Sequence, residues 1–133
     1  VTFDGAVIGS DQVAALNGKP LGKPGSRANA ERQLEACRGR TVDFYTSVSI
    51  VGGGPPAARH TNTTRVVFRD FGDALLRRYL DSDTPFDCAG SFKAEAAGPV
   101  LFERIESDDP TALIGLPLIW LARELERRGV ELL

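Results

Sequence analysis

The stretch Ala6-Val7-Ile8-Gly9-Ser10-Asp11-Gln12-Val13 decides how this chain is read. It is apolar on entry and turns polar at Ser10 and Asp11, the pattern of a buried strand reaching the end of a sheet, which places Asp11 at that end. Outward from it, Asn17-Gly18 is a turn signal, and Lys19-Pro20-Leu21-Gly22-Lys23-Pro24-Gly25 predicts an extended loop because residues before proline avoid the helical region. Ser26 can cap a helix running to about Cys37, with Ala30, Leu34 and Cys37 on one face and Gly39 as its stop. The result is a strand, loop and helix unit.

From Thr41 to Val51 the residues Val42, Phe44, Tyr45, Val48 and Ile50 predict a strand, and Arg59 to Phe68 predicts its hairpin partner across Gly52-Gly53-Gly54-Pro55-Pro56. That glycine run is no phosphate-binding loop, since no Gly-Lys-Ser/Thr follows and the two prolines lack N–H donors. Asp70 is expected to cap a helix from Phe71 to about Leu80, with Ala74, Leu75 and Tyr79 inward and Arg77 and Arg78 in water. Asp81 to Gly90 reads as loop, and Ser91 to Ala96 and Val100 to Glu106 as strands. Asp109-Pro110 opens a turn or short helix. Pro117 then starts a terminal helix with Leu118, Leu121, Ala122 and Leu125 on one stripe, and with Arg123, Arg127 and Arg128 as its solvated face. The reading is mixed α/β in one domain.

Composition bounds the function. A chain of 133 residues, 42% hydrophobic and 26% charged, has an ordinary globular balance and fits one core. Sixteen Lys and Arg against 18 Asp and Glu leave a net charge of −2, which disfavours binding to a nucleic acid polymer. No apolar run approaches the roughly twenty residues that span a bilayer. Cys37 and Cys88 stand far apart, which argues for a reducing compartment such as the cytoplasm and against a disulfide scaffold. One histidine, His60, excludes His-rich zinc sites. The absence of methionine and the opening Val1-Thr2-Phe3-Asp4 point to a removed N-terminus or a fragment.

Three places can carry chemistry. Asp11 can hold a divalent cation or accept a proton from water, or serve as a turn or cap aspartate. Lys23, between Gly22 and Pro24, can meet phosphate oxygens or remain a solvated loop lysine. Strand alternation would send Ser91, Lys93 and Glu95 to one side, as a site or as the wet face of a sheet.

The series Ile8-Gly9-Ser10-Asp11-Gln12-Val13, Leu21-Gly22-Lys23-Pro24, Phe44-Tyr45-Thr46, Cys88-Ala89-Gly90-Ser91-Phe92-Lys93 with Glu95, and Gly115-Leu116-Pro117-Leu118 resembles the Maf family of nucleoside triphosphate pyrophosphatases, in its 7-methyl-GTP subgroup. The resemblance implies a single α/β domain over residues 1–133 with an elongated mixed β-sheet and flanking helices, of the Maf and inosine triphosphatase type. It implies a divalent cation of the Mg or Mn kind, held by Asp11, and cleavage of a nucleoside triphosphate to monophosphate and pyrophosphate. Asp11 matches the catalytic acidic residue, a proton acceptor, and Lys23 the lysine near the phosphates. Gln12 and Glu95 match positions where relatives that take dTTP and UTP carry Thr and Gln, and Ser91 and Lys93 fall in the same substrate-binding stretch. Family members also begin with a Ser-x-Ser-Pro-Arg-Arg-like segment that this sequence lacks. The expectation is therefore an N-terminally incomplete domain with little activity, and an open strand edge that favours a homodimer. The alternatives are a dTTP or UTP pyrophosphatase, or a non-catalytic domain that binds a nucleotide or a partner.

Overall fold

The computed structural model describes residues 5–133, and the opening Val1-Thr2-Phe3-Asp4 lies outside the described residues. The elements are β1 (Ala6–Leu16), β2 (Lys19–Leu21), α1 (Arg27–Cys37), β3 (Thr41–Gly52), β4 (Ala58–Phe68), α2 (Asp73–Asp83), β5 (Phe102–Glu106) and α3 (Leu118–Arg127). Short 3₁₀ turns occupy Ala89–Ser91, Gly98–Leu101 and Pro110–Ile114. One five-stranded sheet runs in the order β2-β1-β3-β4-β5. This is the α/β single domain expected, with one correction: the sheet is not mixed, because each described pairing is antiparallel. Tight connections explain β1–β2 and β3–β4, since antiparallel neighbours need no crossover.

Local chemistry accounts for most boundaries. Asn17 and Gly18 both take positive φ, 52° and 75°, the geometry of a two-residue hairpin turn whose twist matches its strands. The predicted loop after it begins instead as β2, where Pro20 sits on an edge strand that needs no N–H from it. The Ser26 side chain accepts from the Asn29 N–H and caps α1 as its sequence indicates. The cap expected of Asp70 is not made: α2 begins at Asp73 behind Gly72. That later start rotates the buried face to Leu76, Tyr79 and Leu80, leaves Ala74 exposed, and carries the helix to Asp83 through part of the expected loop.

The core lies on one face of the sheet. Val42, Phe44, Val66 and Phe68 meet Leu34 and Cys37 of α1 and Leu76, Tyr79 and Leu80 of α2. Phe92 seals this layer through edge contacts with Phe44 and Phe102 at centroid distances of 5.1 and 4.9 Å. On the opposite face Val7, Val13, Tyr45 and Val51 stand open to water.

β1 is therefore not the buried strand expected. It is exposed from Ala6 to Asp11 and becomes buried only at Ala14–Leu16, where β2 covers its outer edge. Asp11 sits within the strand opposite Ser47 of β3, not at the end of the sheet. At α3, Leu118 is exposed while Leu121 and Glu124 are buried, and Arg128, expected in water, has a side chain only 3% exposed. No helix among the described residues is long and apolar enough to cross a membrane.

Candidate functional site

A cleft of about 340 Å³ opens where β1, the loop after β2, the segment between α2 and β5, and the turn before α3 converge. Its wall includes Asp11, Gln12, Lys23 and Glu95, together with Asp87 and Cys88. Four residues singled out from sequence thus share one concavity, although they are spread from β1 to the middle of the chain.

β1 supplies two of them with opposite duties. The Asp11 side chain is exposed, and its Oδ1 accepts from the Gln12 backbone N–H at 2.8 Å, which leaves Oδ2 free among the described residues. Gln12 points to the other face. Its Nε2 donates to Thr46 Oγ1, Ala112 O and Leu113 O at 2.9, 3.0 and 3.1 Å, while Thr46, fully buried, donates to Ala112 O at 3.0 Å. Ser10 Oγ reaches Gly115 O at 2.8 Å. These bonds fasten the Pro110–Ile114 turn against β1 and build one wall of the cleft.

Lys23 lies 3.5 Å from Asp87, with both side chains well exposed. Such a pair contributes at most about 1 kcal/mol, so the ammonium is available to a stronger anion.

Glu95 is placed by a mechanism that the sequence does not show. The expected strand Ser91–Ala96 is absent, because Gly90 and Ser91 both adopt positive φ, 75° and 64°, and turn the chain. The Lys93 N–H donates to Tyr79 Oη at 2.8 Å, the Ala97 N–H to Asp83 Oδ2 at 2.9 Å, and the Gly98 N–H to Lys93 O at 3.0 Å. A Cβ on Gly98 would lie 2.3 Å from Lys93 O, so only glycine closes this turn. Ser91 and Lys93 do not line the cleft wall: Ser91 is buried with its hydroxyl on Gln33, and Lys93 is half-buried. The contacts made by Tyr79, Asp83, Thr46 and Gln33 are what sequence reading missed: the sequence marks Tyr79 only as a core residue and Thr46 only as part of a family-like stretch, and no local pattern marks the partners of any of the four.

Burial pushes the Cys88 thiol upward, with Lys93 opposing and Glu95 adding to the shift, so it stays protonated at neutral pH. Asp11 also borders a depression of about 360 Å³ with Ser47, Ser49 and Arg59. A third cleft, about 490 Å³, lies between β4 and α3 around Asn62, Trp120 and Arg123. Among the described residues no group of three or more His, Cys, Asp or Glu side chains is arranged to hold a metal ion.

The family model described as "Maf-like protein" matches residues 2–128. The chain is 54% identical over 127 residues to a 7-methyl-GTP pyrophosphatase of Xanthomonas oryzae pv. oryzae (strain MAFF 311018), covering 95% of this chain and 66% of that protein. It is 52% identical over 130 residues to the 7-methyl-GTP pyrophosphatase of Aromatoleum aromaticum, covering 97% and 67%, and 51% identical over 128 residues to that of Paraburkholderia xenovorans, covering 96% and 62%. The chain thus spans about two thirds or less of the length of these relatives. With nearly its whole length matched by the family model, the chain belongs to the Maf-like protein family.

Proposed function

We propose that this chain carries the nucleotide cleft of a pyrophosphatase that hydrolyses 7-methyl-GTP to the monophosphate and pyrophosphate. The observation that carries the reading is the convergence of Asp11, Gln12, Lys23 and Glu95 on one cleft. Asp11 keeps one carboxylate oxygen free to take a proton from water as that water attacks the triphosphate in line. The new P–O bond replaces the bond between the α- and β-phosphates, and pyrophosphate leaves with the bonding electrons. Lys23 offsets the negative charge of the phosphate oxygens. Glu95 faces the base: methylation at N7 makes guanine cationic, and its pairing edge presents N–H donors, both of which suit a carboxylate acceptor.

A divalent cation fits this donor set in one mode only. Asp11 keeps one carboxylate oxygen free, and among the described residues no three His, Cys, Asp or Glu side chains cluster, so a hydrated Mg²⁺ or Mn²⁺ would suit this site better than an ion caged by protein. Asp11 would hold it through that oxygen as an alternative to taking the proton directly, and the ion would supply charge stabilisation to the triphosphate.

The free cysteines Cys37 and Cys88 support a cytoplasmic setting, and the net charge of −2 supports a free nucleotide over a nucleic acid polymer as the partner. The outer edge of β1, unpaired before Ala14 among the described residues, supports a homodimer.

Pyrophosphate release from 7-methyl-GTP, dTTP and UTP by the full-length protein that carries this chain tests the reading. The expected result is preference for 7-methyl-GTP and loss of turnover in Asp11→Asn with the fold retained. Unchanged turnover in that variant overturns the role of Asp11, and nucleotide binding without any hydrolysis favours a non-catalytic binding domain.

A further inference from the structure

Lys23 and Glu95 stand on separate loops, and a single amide on α1 touches both supports. Gln33 Nε2 donates to Gly22 O at 3.0 Å, and Gln33 Oε1 accepts from Ser91 Oγ at 2.5 Å. Gly22 directly precedes Lys23, and Ser91 leads into the turn that carries Glu95. A second α1 amide, Asn29 Nδ2, donates to Pro24 O at 2.9 Å, so the carbonyls on both sides of Lys23 are held from α1. The Gly25 N–H bond to Phe86 O at 2.8 Å ties the loops further back, and the exposed Lys23–Asp87 pair adds little.

Ser91 makes this more than a surface contact. It is fully buried, and its φ of 64° is a backbone conformation that residues other than glycine rarely adopt. That conformation delivers its hydroxyl to Gln33.

We propose that Gln33 is a positioning residue that couples the two sides of the cleft: by bonding Ser91 with its acceptor end and Gly22 with its donor end, it sets Lys23 in register with Glu95. The coupling rests on the function proposed above only in that Lys23 and Glu95 contact nucleotide. The primary amide performs both halves, one end donating and the other accepting. Glutamate keeps the acceptor and loses the donor, leucine loses both, and asparagine is one methylene too short.

Gln33→Glu separates this role from bulk packing. Amide order parameters of Gly22 and Lys23 should fall from about 0.85 toward about 0.6 while those of Gly90 to Phe92 hold, whereas Gln33→Leu should loosen both sets. Ser91→Ala should loosen Gly22 and Lys23 as well, and should add nothing in the Gln33→Leu background. In 7-methyl-GTP hydrolysis by the full-length protein that carries this chain, Gln33→Glu should raise KM about tenfold with kcat changed less than threefold. Unchanged order parameters at Gly22 and Lys23 in Gln33→Glu and in Ser91→Ala would overturn the coupling even if hydrolysis is observed. Loosening there with no change in nucleotide kinetics would uphold the coupling and count against the nucleotide reading of Lys23.

Discussion

At the scale of single residues, Gln12 and Glu95 differ in what they can be asked to do. Glu95 is exposed and no described hydrogen bond uses its carboxylate, so Glu95→Gln should leave stability within about 0.5 kcal/mol of the parent. The same change should lower the ratio of 7-methyl-GTP to UTP hydrolysis, and an unchanged ratio would remove Glu95 from base recognition. Gln12 is already occupied, because its amide N–H groups hold Thr46 and the carbonyls of Ala112 and Leu113. Threonine cannot span that distance. Gln12→Thr should therefore cost about 1–2 kcal/mol in denaturant unfolding as well as altering selectivity, since two carbonyls lose a donor. Selectivity shifts in a double variant thus need the stability of each single variant beside them.

At the scale of elements, the Lys93–Gly98 turn has little tolerance for change. Gly98→Ala would place a methyl carbon 2.3 Å from Lys93 O, so the turn must open, and a loss of about 2 kcal/mol or more in thermal unfolding is expected along with weaker nucleotide binding. This turn also marks where sequence reading stopped. Helix α1 was legible because both ends are punctuated locally, by Ser26 and Gly39, and the β3–β4 hairpin because β-branched and aromatic residues flank a glycine run. In Ser91-Phe92-Lys93-Ala94-Glu95, polar and apolar residues alternate as in a strand, yet the conformation is fixed by Tyr79 and Asp83 from α2, distant in sequence. Hydrogen bonds of that kind leave no periodicity to read. The exposure of β1 was hidden for a related reason, since an apolar run does not disclose whether another element covers it. Within the candidate site, Asp11, Gln12, Lys23 and Glu95 were legible through family-like wording, whereas Gln33 and Tyr79 act through partners that only the fold supplies.

At the scale of the whole molecule, stability should decline in alkali. Burial raises the Cys37 thiol from 9.0 to about 12, with Arg40 partly opposing, and burial likewise raises the Tyr79 hydroxyl. Both groups release protons more readily when unfolded, so the Cys37 contribution is fully present below pH 9.0 and is lost as pH climbs toward about 12, with that of Tyr79 lost at still higher pH. Cys37→Ala should flatten that decline in unfolding measured across pH, while lowering the neutral plateau by about 1 kcal/mol through lost packing. The architecture also has a late-closing fastening. Arg128 donates to Glu124 Oε1 at 3.2 Å and to the carbonyls of Gly52, Pro55 and Pro56 at 2.9, 3.4 and 2.5 Å, which pins the end of α3 to the β3–β4 hairpin loop. In kinetic terms the hairpin can pair before the last helix reaches it, and the guanidinium then acts as a bolt on the finished barrier. Arg128→Ala should leave the refolding rate unchanged and speed unfolding, visible as a shift of only the unfolding arm of the chevron. On the ribosome, the same geometry means that the hairpin tip stays unfastened until Arg128, 72 residues beyond Pro56, has been made.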